Sequence, residues 1–409
     1  MNLSWFLVPL IIFIVLRVII IYVVYEIADG VEFTSDSWVY DLGLKPFSVM
    51  TFSSDASNYS QPPLYPIILA PLAIPLSHFL CHFLASRIAF TVFELISFLI
   101  MALYLSKLYS ISQKNRLLIL GIVSISPLGF MTGAVMKQEE AIVMIFTTLV
   151  LYTINRKSIR WAGFLTFLGM ITAKILFGVV FFAILLLGKN RKAVICWGIL
   201  PAIIFLTIYS LIGYIFTGVI PFIDFAPSDP KFCSSIFTLF FYFGSFSGPF
   251  MKWFSLGFVF LAYFTVWKLK YKFMQRDFPQ IMLLPFCILF LFFYHINTEY
   301  HIFILPLLAL IPFGRNFFQS KYIFSGFHLL LAICTWGYGI VYGIRIFSEG
   351  VGYSSYSKEL SLSLYEKTLG FIPIKSMEIA FLILTILSIL LILILTYKSL
   401  TSKFSPDSQ

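Results

Sequence analysis

Charge is what this chain has least of. Only 11% of its 409 residues are charged, against about 25% in an ordinary soluble domain. That scarcity excludes a soluble fold. Cysteine is sparse too: Cys81, Cys196, Cys233, Cys287 and Cys334 are scattered, with no CxxC or Cys/His spacing. They read as buried apolar thiols and imply no metal cluster. A small-residue cleavage site is missing after the first apolar run, 3–25, which is also too long for a signal-peptide core, so it reads as a retained helix.

What is abundant is apolar surface. Hydrophobic residues make up 60% of the chain and aromatics 19%, in repeated runs of roughly 20 residues, the length that crosses a bilayer. The expected fold is an all-α polytopic membrane protein of about 11 to 13 transmembrane helices.

A net charge of +10 invites a nucleic-acid partner, but its distribution rejects one. Short stretches between apolar runs carry 17 of the 28 Lys and Arg: Lys107 to Arg116, Arg156 to Arg160, Lys189 to Lys192, Lys268 to Arg276, Arg315 to Lys321 and Lys398 to Lys403. None holds an acid. Cytoplasmic loops have this bias, which sets membrane topology. Placing them all inside sends 3–25 out, 87–106 in, 117–136 out and 140–155 in. Residues 161–187 must then leave and return within 27 residues, which two half-helices meeting near Lys174 would do. The segment 62–84, with prolines 62, 63, 66, 71 and 75, is expected to lie in the outer interface or re-enter rather than span. The arrangement puts 14 of the 18 acids outside, together with the long loops 26–61, 217–251 and 346–375. Two modules are expected, 1–216 with the outer loop 26–86, and 217–409.

Charges inside apolar runs are costly and usually mark function or a partner. Arg17 lies within the first helix and either snorkels or pairs with another helix. Arg87 opens the next, with Glu94 two turns on as its expected neutralising partner. Lys174 interrupts "GMITAKILFGVV", where an ammonium at the membrane surface suits a phosphate. Three outward segments add polar groups: "SDSWVYDLG" with "SNYSQPPLYP" downstream, "GAVMKQEEAIVM", and "FYHINTEYHIFILPLLAL". Carboxylates, cations and imidazoles at one depth suit a general base acting on a hydroxyl while cations hold a phosphate leaving group.

In this order the segments resemble the GT-C superfamily of integral-membrane glycosyltransferases, above all the bacterial and archaeal proteins similar to GPI-anchor mannosyltransferases. The matching features are Asp36 in "SDSWVY", the segment "NYSQPPLYP", Arg87 at a helix start, "MKQEEAIVM", "MITAKILFGVV" and "NTEYHIFILPLLAL". The likeness covers roughly 1–315. Three features depart from the pattern: Gln-Glu-Glu replaces a single aspartate at the second site, no proline follows Lys174, and Thr298 stands where the family has histidine.

The resemblance implies transfer of a hexose or pentose from a polyprenyl-phosphate donor to a glycan or lipid-linked hydroxyl, with inversion, at the extracytoplasmic face of a bacterial plasma membrane. Asp36 would be the base, with Asp41 and Glu140 as reserve or acceptor-orienting carboxylates. Arg87 and Lys174 would hold the donor phosphate. Tyr59, Gln61, Gln138, Glu139, Glu299, Tyr300 and His301 would line the sugar or acceptor pocket. Outer carboxylates could bind Mg or Mn, although no ligand spacing demands it. The rival classes are a lipid or sugar transporter or flippase, which often shows internal repeats, and a surface-glycan polymerase or ligase.

Overall fold

The computed structural model describes residues 4–27, 37–52, 61–108, 111–138, 140–188, 190–221, 235–243, 248–268, 277–294, 296–311, 321–348, 363 and 373–401. They contain helices and turns and no strand. Among the described residues, six helical stretches are long and apolar enough to cross a membrane: Leu7–Glu26, His82–Ser106, Gln113–Val135, Arg191–Thr217, Phe250–Lys268 and Ile374–Leu400. The described residues also hold seven shorter apolar helices of 10–17 residues. The protein is an all-α polytopic membrane protein.

The chain begins with α1 (Leu7–Ile27), whose wide exposed face of Val8, Ile11, Val15 and Ile19 suits lipid contact. A short α2 (Ser37–Leu44) and α3 (Tyr65–Phe79) lead into α4 (His82–Ser106). α3 has 15 residues, with Pro71 and Pro75 inside it. At about 22 Å it is shorter than the bilayer's roughly 30 Å hydrocarbon core. It packs on α2 and α4, and the Tyr40 hydroxyl donates to the Ala73 carbonyl at 2.9 Å. Its proline-rich lead-in is pinned elsewhere: the Leu64 N–H donates to the Ile171 carbonyl at 3.0 Å.

α5 (Gln113–Ile125) and α6 (Pro127–Phe130) run on into a π-helical turn, Met131–Val135, then reverse into α7 (Glu140–Asn155). α8 (Ile159–Thr172) stops short and resumes, through a 3₁₀ turn Ile175–Gly178, as α9 (Val179–Leu186). α10 (Arg191–Val194), a second π turn and α11 (Leu200–Thr217) form the next crossing. Beyond them come α12 (Ile236–Phe243), α13 (Gly248–Lys268) and α14 (Phe278–Phe292). A 3₁₀ segment, Thr298–Ile304, leads to α15 (Leu305–Leu310), α16 (Lys321–Ser348) and α17 (Ile374–Thr401).

α14 is the central helix. All but two of its residues are buried, so it reads as hydrophobic all round, as a helix enclosed by others must. It packs on α9, α13 and α17 and touches α7. Helix direction then sorts the chain ends. The starts of α4 and α7 share one end of the bundle with α2 and α3, and the Tyr25 ring near the end of α1 meets Phe83 there at 5.5 Å. The basic turns around Lys107, Arg116, Arg156 and Arg191 lie at the other.

One buried ion pair ties α1, α4 and α5 together. Arg17 donates through Nε and Nη2 to Glu94 Oε2 at 3.1 and 3.0 Å. Its Nη1 donates to the Ser124 carbonyl, and its guanidinium carbon lies 3.9 Å from the Phe13 ring centroid. Of the two readings of Arg17, pairing with another helix is the one realised. The expected Arg87–Glu94 neutralisation is corrected: Glu94 belongs to Arg17. Seven residues separate Arg87 from Glu94, about 10 Å along the helix, and Arg87 turns back towards the start of α4 as helical side chains do. Nor does Arg87 open that helix, which begins at His82.

The π turn explains how a carboxylate fits here. A Cβ on Gly133 would lie 2.0 Å from Glu94 Oε1. Only glycine lets the turn approach the ion pair so closely.

Candidate active site

The break between α8 and α9 is built around Lys174. The N–H groups of Ala173 and Lys174 both return to the Gly169 carbonyl, at 2.9 and 3.1 Å, which closes α8. Lys174 itself is extended (φ −159°, ψ 130°), and its carbonyl accepts from the Phe177 N–H to start the 3₁₀ turn. A Cβ on Gly169 would meet the Phe177 ring at 2.5 Å, so glycine allows the chain to fold back. The two half-helices expected around Lys174 are thus present.

The extended residue aims its side chain out of the helical path. Lys174 Nζ lies 2.8 Å from Glu140 Oε1, with the Glu140 side chain fully buried and that of Lys174 14% exposed. Its ammonium also faces the Tyr300 ring, 5.0 Å from the centroid, a cation–π contact. Tyr300 is held by stacking on Phe303 at 5.5 Å, and the Phe303 carbonyl accepts from the Thr147 hydroxyl on α7. His301, also buried, packs its ring 4.8 Å from Phe290 of α14. The surroundings of the pair include Tyr300, from beyond position 216.

Replacing a buried ion pair with apolar side chains is often neutral or stabilising. The Glu140–Lys174 pair is therefore weak evidence for stability.

Polar groups gather close by along the chain. Gln138 is buried, its N–H donating to the Thr132 carbonyl at 2.9 Å, and its carbonyl accepts from the Ala141 N–H in the first turn of α7. Gln61, three residues before Leu64, is buried too, and its side-chain oxygen has no hydrogen-bond partner among the described residues. The Leu64–Ile171 bond holds this stretch three residues from Lys174.

Lys137 was not among the candidates read from sequence, although its neighbours were. It is fully buried and adopts φ +51°, in the left-handed region that non-glycine residues seldom occupy. The signal available was a lone cation in "GAVMKQEEAIVM".

Two other candidates sit on different elements. Arg87 is fully buried; it donates to the Phe83 carbonyl at 3.1 Å and lies 3.6 Å from the Phe83 ring centroid. Asp41 is bonded to His82 at 2.8 Å, both side chains being half-exposed. Next to it, burial and the Asp41 charge push the Tyr40 phenol up to about 12, so that hydroxyl keeps its proton and its bond to Ala73. Asp36, Tyr59, Glu139 and the Glu299 side chain lie outside the described residues. No group of three or more His, Cys, Asp or Glu able to hold a metal occurs among those described.

A carboxylate and an ammonium beneath an aromatic face, with carboxamides nearby along the chain, can bind a sugar and hold an anion. The sequence model of glycosyltransferase family 87 matches residues 63–293, more than half of the chain. The chain belongs to glycosyltransferase family 87. No curated protein matches it. As a family 87 glycosyltransferase it uses a sugar donor and an acceptor, and the membership agrees with the GT-C-type resemblance read from sequence. Arg87, Lys137, Glu140 and Lys174 fall inside the matched region; Gln61, Tyr300 and His301 flank it closely.

Proposed function

We propose that this glycosyltransferase takes a hexose or pentose from a polyprenyl-phosphate donor and passes it to a hydroxyl of a glycan or lipid-linked acceptor. The observation that carries the reading is the Glu140–Lys174 pair at the α8–α9 break, beneath Tyr300. It lies at the end of the bundle opposite the basic turns. Basic turns face the cytoplasm in bacterial plasma membranes, which supports an extracytoplasmic site. There a donor keeps its isoprenoid tail in lipid and brings its head to the pair.

The reaction is a displacement with inversion. The acceptor oxygen attacks the anomeric carbon as the bond from that carbon to the phosphate oxygen breaks. The electron pair leaves with the lipid phosphate, and the acceptor proton passes to a carboxylate. Asp36 takes that role by resemblance. Lys174 and Arg87 stabilise the charge growing on the leaving phosphate, the step where preorganised cations contribute most. Glu140 presents the Lys174 ammonium before the donor arrives. Gln61, Gln138, Glu139, Glu299, Tyr300 and His301, with Tyr59, contact the sugar or acceptor.

The test compares Asp36→Asn with Asp41→Asn in membranes. The first is expected to abolish sugar transfer while the protein stays inserted, and the second to leave most of it. Full activity in Asp36→Asn would remove Asp36 as the base.

A further inference from the structure

The left-handed backbone of Lys137 is a local conflict of sequence and structure. The π turn ends with Gln138 bonded back to Thr132, and the residue between must take positive φ (here +51°). Helix ends of this kind favour glycine, sometimes asparagine. A lysine there adds strain, and this one also buries its whole side chain. Strained residues that persist cluster at ligand clamps and active sites. Lys137 stands three residues before Glu140, in the connection that leads into α7.

We infer that Lys137 is a further donor-binding residue, contacting the phosphate of the lipid-linked sugar alongside Lys174. The inference rests on the polyprenyl-phosphate reading above. In it the side chain, not the backbone, is the reason for lysine. The chain accepts a strained turn because a flexible ammonium is needed where the π turn meets α7. One phosphate between two lysines from separate segments is gripped from two sides, which suits a group that must leave carrying charge.

Lysine-to-glycine substitution separates the two roles, since glycine removes the ammonium and relieves the backbone. The measurement is binding of polyprenyl monophosphate to purified full-length protein, with thermal midpoint as the fold control, for wild type, Lys137→Gly, Lys137→Met and Lys137→Arg. We expect Lys137→Gly to melt no lower than wild type and to bind about 10- to 100-fold more weakly, the range of a charge-assisted hydrogen bond. Lys137→Met should weaken binding similarly, and Lys137→Arg should keep more of it than either. Wild-type binding matched by both Gly and Met variants overturns the role of Lys137 alone. Wild-type protein that does not bind polyprenyl monophosphate overturns the donor reading and this inference with it.

Discussion

Lys174 Nζ and Glu140 Oε1 meet at 2.8 Å across 34 residues of sequence. Glu140 begins α7, and Lys174 is the extended residue that separates α8 from α9.

Lys174→Met should strand a buried carboxylate and remove a phosphate contact. We expect kcat/KM for the donor to fall by about 100-fold or more, with the acceptor KM little changed, as for lost charge-assisted contacts. Combined with Glu140→Gln in a double-mutant cycle, the pair should show a coupling of about 1–3 kcal/mol. Strict additivity would mean that the two groups act independently.

Gly133→Ala probes the intramembrane ion pair without touching its charges. A methyl group 2.0 Å from Glu94 Oε1 must displace the carboxylate or the turn, at a cost of about 1–3 kcal/mol or more. Thermal unfolding in detergent should show it as a lower midpoint. Gly121→Ala, with nothing within 4 Å of the added Cβ, should be neutral or slightly stabilising, since alanine is the better helix former. Equal midpoints for the two variants would refute the close approach.

Arg17→Met alone should be far more damaging, by about 3–5 kcal/mol, because it leaves Glu94 buried and unpaired. Adding Glu94→Leu should restore part of that loss. A double variant no more stable than Arg17→Met would contradict the pairing.

Tyr40 gives a pH dependence with a definite sign. Its phenol is raised from 10.0 to about 12, so the folded state favours the protonated form. That contribution is complete below pH 10 and disappears as pH rises through about 12. Tyr40→Phe should lose about 1 kcal/mol at neutral pH and flatten this alkaline step in stability. An unchanged step would assign it to another group.

Lys174 was readable in the sequence, because a 27-residue apolar run between two basic turns is too short to leave and return as two full-length spanning helices. Its partner was not. Glu140 appeared only as one acid in a polar hairpin, and joining it to Lys174 requires knowing that α7 packs beside the broken helix. Arg17 and Glu94 are 77 residues apart, and helical period cannot say which of two arginines a buried glutamate will face. The Gly133 approach and the strain at Lys137 both follow from a π turn, which leaves no mark on hydrophobic pattern. The prolines of 62–84 argued only against a regular spanning helix, whereas the Leu64–Ile171 bond that brings Gln61 towards the site is a tertiary contact.

The central claim is that a lipid-linked phosphate leaves from beside Lys174. It is tested most directly by incubating purified protein with a panel of polyprenyl-phosphate sugars and scoring release of the lipid phosphate. We expect release with one or a few of the sugars, requiring an acceptor and lost in Lys174→Met. Sugar transfer from a soluble nucleotide donor, with no lipid phosphate released from any member of the panel, would contradict it.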